Sequence, residues 1–246
     1  MSPLAVIDEG LALLRGRAAL TALMVVAVLP GRLLLAELVW AVVSLPSGST
    51  AAAHADALGS RALWWLPCWL AGLVLRQMSA TALRRRAAPA WPGIEEVVSH
   101  LATASLLGVV VWATLPTVLL PLPALLVLAF AAAAQRADRF RLLGQASVIV
   151  PLLAIGAMFL AVLAVLTVNL WFLGQALVWL AGPVLDTATL AQAGMAASGP
   201  LSWLLAAACA SAIMEPAWTA ALTALALRGC ARRTGEDLRA ALERLA

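Results

Sequence analysis

Four charged residues, Arg32, Glu37, Arg76 and Glu215, lie inside apolar stretches of a chain that otherwise keeps its charges at the edges of those stretches. A charge near the centre of a membrane-spanning helix costs about 2.5–3.5 kcal/mol even on insertion scales. Such a residue persists when it pairs with an opposite charge, faces a water-filled cavity or reaches an interface. Arg32, Arg76 and Glu215 fall near the middle of their stretches, with Glu37 about one turn further out. Arg32 and Glu37 point to different faces of one helix and are poor partners for each other. Pairing of Glu215 with Arg32 or with Arg76 is therefore expected. The pair would either fix helix register or form part of a polar path or headgroup site between helices.

The elements that must position these charges are set by composition. The chain has 246 residues, of which 64% are hydrophobic and 11% charged, and its mean hydropathy is +0.99. Soluble domains carry about 25% charged residues, so water is not the main solvent here. All 16 basic residues are arginine. Apart from Arg32 and Arg76, most sit in short clusters between apolar spans, where a topology signal explains them better than nucleic-acid binding does, despite a pI near 10.1. No nucleic-acid partner is expected. No segment reads as a cleavable signal peptide.

The sequence predicts an all-α, polytopic membrane domain over 1–246, with six spans and both termini cytoplasmic. Residues 2–17 form an amphipathic interface helix in which Leu4, Ile7, Leu11 and Leu14 recur at helical spacing. Spans are expected at about 18–45, 62–83, 101–116, 121–135, 146–170 and 201–227. Pro30-Gly31 and Pro216 predict kinks in the first and last. The Ser-, Gly- and Ala-rich stretch 46–60 reads as an outer loop, and 171–200 as an outer segment with breaks at Gly182-Pro183 and Gly199-Pro200. This map puts the arginine clusters at 15/17, 84–86, 136–141 and 228–233 on one side, the cytoplasmic one. The opposite loops hold only Arg61.

Trp40, Trp64, Trp65, Trp69, Trp112, Trp171, Trp179 and Trp203 fall toward the outer ends of their spans. They read as an interfacial aromatic belt, the alternative being an outer-leaflet cavity for an apolar ligand. Asn169 reads as a cap or turn residue. Cys68, Cys209 and Cys230 lack metal or disulfide spacing, and no H-E-x-x-H, G-x-S-x-G or P-loop occurs. Neither an enzyme nor a cofactor is expected. After Arg232-Arg233, Thr234 and Asp237 resemble a capping box, and Leu238, Leu242 and Leu245 form a stripe on a cytoplasmic helix over 234–246 that docks on the interface or on a partner.

The block from Glu215-Pro216-Ala217-Trp218 through Arg232-Arg233 to Glu236-Asp237-Leu238, with Asp8-Glu9-Gly10-Leu11-Ala12-Leu13-Leu14-Arg15 before a Pro-kinked span, resembles uncharacterised bacterial polytopic membrane proteins. These are similar to the membrane domain found with glycerophosphoryl diester phosphodiesterases. Some are encoded beside MoxR-type ATPases and von Willebrand A-domain proteins. The chain departs from the pattern at Leu225 and Leu227, where an aromatic is usual. The resemblance implies no catalytic residues.

Three readings follow. The first is a non-enzymatic membrane subunit or scaffold of a bacterial envelope complex in the cytoplasmic membrane, whose partners are the lipid bilayer and other membrane or cytoplasmic subunits, an ATPase among them. The second is a permease subunit similar to the ABC-2 type. The third is a lipid- or headgroup-binding protein.

Overall fold

The computed structural model describes residues 2–44, 50–85, 142–181 and 198–235, together with 94, 95, 98, 102, 127, 129, 130 and 189. The expected spans at 101–116 and 121–135 therefore lie almost wholly outside the described residues, as does Trp112. Five helices are described: α1 (Pro3–Leu14), α2 (Ala18–Val43), α3 (Ala51–Arg85), α4 (Ala146–Ala181) and α5 (Pro200–Thr234). No strand occurs among the described residues.

Among the described residues, three helical stretches are long and apolar enough to cross a membrane: Ala18–Ala41, Ala146–Ala181 and Pro200–Arg232. α3 is long enough at 35 residues but is not one of them. Its Trp64-Trp65, Pro67, Trp69, Arg76 and Gln77 dilute the apolar run. Pro30, Pro67, Pro151 and Pro216 each sit inside a helix, and each helix continues through its proline.

Helix ends differ from the sequence reading in three places. α3 begins at Ala51 rather than near Ala62, because Ala51-Ala52-Ala53, Ala55 and Ala57 are the strongest helix formers available and outweigh the Ser and Gly content. α4 runs on to Ala181 rather than ending near Leu170, since no helix breaker intervenes before Gly182-Pro183. α5 runs on to Thr234 rather than ending near Leu227, and Gly235 follows at φ +73°, the left-handed position common at helix C-termini; the helix expected over 234–246 lies beyond it, outside the described residues.

The chain divides into two compact units, one of residues 1–22, 74–159 and 216–246, the other of 23–73 and 160–215. The first has a core of Val6, Phe130, Leu142, Val148, Leu152, Ile155, Leu222 and Leu225, each at most 1% exposed. α1 enters this core through Val6 and Gly10, while Leu4 and Leu11 remain exposed. A Cβ on Gly10 would lie 2.7 Å from the Ala221 Cα and 2.8 Å from the Ala220 carbonyl carbon. Two helix backbones are thus in direct contact, which only glycine allows. α1 then ends at Arg15, and Gly16 at φ +75° turns the chain into α2. The Arg17 amide donates to the Leu14 carbonyl at 3.0 Å across that turn.

In the second unit α2 meets α3 at two further glycines. A Cβ on Gly31 would sit 3.5 Å from the Cys68 carbonyl oxygen, and one on Gly72 3.8 Å from the Ala27 carbonyl oxygen. Both are ordinary contact distances. Gly10→Ala should therefore destabilise the protein by about 1–3 kcal/mol through overpacking against backbone. Gly31→Ala should stay within about 0.5 kcal/mol of wild type, the range of substitutions that create no clash or cavity. Thermal unfolding in detergent compares the two; equal melting temperatures would remove the backbone contact at Gly10.

Candidate functional site

α2 carries Arg32 near its midpoint, just after Pro30-Gly31, and α5 carries Glu215 just before Pro216. Within the unit of 23–73 and 160–215, Arg32 Nη2 donates to Glu215 Oε2 at 3.3 Å. The Glu215 side chain is 2% exposed and that of Arg32 36%. The distance exceeds the about 2.7–2.9 Å of a short charge-assisted bond. Small residues run along α5 before it: Ala206, Ala208, Ala210 and Ala212 are all buried. Such residues let neighbouring helix backbones approach closely. α2 is thus held to α3 by van der Waals contact at Gly31 and Gly72, and to α5 by a charge pair.

One of the arrangements expected for Glu215 is present, with Arg32 beside it. Arg76 is half-buried in the C-terminal part of α3, in the other unit. Its expected mid-span depth assumed a helix starting at Ala62, and the earlier start at Ala51 shifts it toward one end. Glu37 is exposed on α2, close to the Ala41 end of its candidate span. Chemically the pair cancels two charges and fixes how α2 sits against α5. A carboxylate this well buried is badly placed to exchange ions with solvent.

The tryptophans behave in two ways. Trp171 on α4 stacks on Trp203 of α5, with ring centroids 4.4 Å apart and planes 13° from parallel. Its Nε1 donates to Ser202 Oγ at 3.1 Å, and Ser202 Oγ donates to the Gly199 carbonyl at 2.6 Å. The start of α5 is therefore tied to α4 by a stack and a hydrogen-bond relay. Trp65 stacks on Trp69, one turn away, at 5.5 Å. Trp64 and Trp179 are more than 70% exposed, as anchors in an interface would be, and Trp40 is half-buried. Asn169 is neither cap nor turn: it lies inside α4, and its Nδ2 donates to the Val165 carbonyl at 2.8 Å.

Arg232 and Arg233 belong to α5, and Arg232 is exposed. Asp237, Leu238, Leu242 and Leu245 lie outside the described residues. Two contacts were not anticipated from sequence. Arg228 Nε donates to Glu9 Oε2, linking α5 to α1. Phe159 and Trp218 meet edge to face at 4.9 Å. Opposite charges at the same predicted inner edge were the available signal for the first. For the second, the sequence offered none. Among the described residues, no group of three or more His, Cys, Asp or Glu side chains is placed to hold a metal.

Arg32→Met or Glu215→Met alone removes one side of this contact and should destabilise by up to about 3–5 kcal/mol, the range for breaking a buried pair. The double variant should recover most of that loss in a double-mutant cycle read by unfolding in detergent. Additive losses would mean the two side chains are not coupled. Compared with family models, curated proteins and solved structures, the chain matches none, so its function rests on its own residues.

Proposed function

We propose that this chain is a non-enzymatic, multi-pass subunit of the bacterial cytoplasmic membrane that scaffolds an envelope-associated complex. Six spans with both termini in the cytosol is the topology this reading uses, because it gathers the arginine clusters on one side. The supporting observation is the asymmetry of the Arg32–Glu215 pair: the carboxylate is sealed, yet about a third of the arginine side chain stays exposed (36%) on an apolar helix.

An arginine side chain left about a third exposed on a helix that spans lipid is costly at mid-depth. A neighbouring subunit that covers it relieves that cost and gains a specific polar anchor. Leu35 and Val39 follow Arg32 at helical spacing and are also exposed. Together they make a lateral strip suited to another membrane helix. Only 17% of the most apolar window in Ala18–Ala41 is buried, against 50% for that in Pro200–Arg232, so α2 is the more outward of the two. The resemblance of residues 215–238 to proteins encoded beside MoxR-type ATPases points the same way.

A photo-crosslinker at Leu35, activated in intact membranes, should join this chain to one stoichiometric envelope protein, and Arg32→Met with Glu215→Met should abolish the product. If only lipid adducts form, the scaffold reading fails. If the product contains a dedicated nucleotide-binding ATPase subunit, the permease reading replaces it.

A further inference from the structure

In the unit of 1–22, 74–159 and 216–246, a cavity of about 350 Å³ opens between α1, the turn that leads into α2, the end of α3 and α5. Arg15, Arg17, Arg84 and Glu9 supply its charges, and Leu13 and Leu227 part of its apolar wall. The Glu9 carboxylate accepts from Arg228, a residue outside the lining, so its charge is already matched. Arg15 and Arg17 then share this cavity with Arg84, and among the described residues its lining holds no further carboxylate. Like charges held together repel, and an anion placed among them turns that repulsion into attraction.

Two of the three are fixed in place. Arg17 Nη1 donates to the Ala82 carbonyl at 3.0 Å, and Arg84 Nη2 to Thr81 Oγ1 at 3.0 Å. A guanidinium has five N–H donors, so one anchoring bond from Arg17 orients the group and leaves it able to bind an oxyanion. Arg15 and Arg17 flank Gly16, whose positive φ makes the tight turn that delivers both to the same cavity. The volume lies within the about 300–1,000 Å³ usual for small-ligand sites.

We propose that this cavity binds the phosphate of an anionic phospholipid headgroup. Arg17 immediately precedes the apolar stretch Ala18–Ala41, and Leu227 lies toward the Arg232 end of Pro200–Arg232. The arginines therefore sit where a headgroup sits when those helices span a bilayer. Leu227 at 39% exposed, and Leu4 and Leu11 of α1 at 60% and 47%, offer apolar surface for acyl chains, which a free phosphate would not use. Basic pockets between helices at this level are known lipid sites.

The full-length protein, delipidated in detergent, would be titrated with dioleoylphosphatidylglycerol or dioleoylphosphatidylcholine and read by native mass spectrometry. The anionic lipid should be retained preferentially, and binding should weaken roughly fivefold for each arginine removed in Arg15→Gln and Arg84→Gln. Arg15 is exposed, so Arg15→Gln tests the site even if Arg84→Gln unfolds. Inorganic phosphate and glycerol 3-phosphate at millimolar concentration should not displace the lipid. Equal retention of both lipids, or unchanged retention in Arg15→Gln, would overturn the proposal. Full displacement by inorganic phosphate would assign the site to a soluble phosphate instead.

Discussion

Hydrocarbon does not reward one apolar side chain for touching another, because lipid tails are equally apolar. Helices in such a solvent are held by close packing and by the few polar groups that must find each other. In this chain that constraint falls on Glu215, 2% exposed near the middle of α5, with Arg32 of α2 as its matched charge. The alanines at 206, 208, 210 and 212 are small, so neighbouring chain can pack tightly just ahead of the pair. Gly31 and Gly72 do the same between α2 and α3. The pair sets which faces of two helices meet, and the small residues let them stay close.

The same solvent argument explains α1. Periodicity picked out Leu4, Ile7, Leu11 and Leu14 as its apolar stripe, and in water that stripe would turn toward the core. Here Leu4 and Leu11 are exposed, Ile7 packs only partly against the core, and the residues buried in the protein are Val6 and Gly10. A bilayer inverts the usual rule: large apolar side chains can face lipid at little cost, while a missing Cβ brings backbones into contact. The glycine in Asp8-Glu9-Gly10-Leu11, which costs helix propensity, is repaid by the close approach to Ala220 and Ala221.

Much of the helix content was legible because apolar runs such as 18–41 and 201–227 are long and bounded by charge. The pairing of Glu215 was legible only as two alternatives, since one sequence gives the depth of a charge but not the rotation of its helix. Ends were read poorly where bilayer thickness was used to cut helices. α4 has 36 residues, about 54 Å at ~1.5 Å per residue, far beyond the ~30 Å core, yet nothing in its sequence stops it before Gly182. Within the stretch 46–60, Ser and Gly content suggests a loop, although alanine dominates the helix energetics from Ala51 on. Arg17 and Arg84 were read as topology signals, and nothing in their spacing says that a turn at Gly16 delivers Arg17 to the end of α3.

The sharpest measurement is charge reversal at the central pair, scored as folded protein recovered from the membrane. Arg32→Glu and Glu215→Arg each place two like charges side by side and should abolish recovery. Combined, they restore an attractive contact between α2 and α5 and should return most of the folded yield. A combined variant no better than the worse single one would show that these side chains do not hold the two helices together.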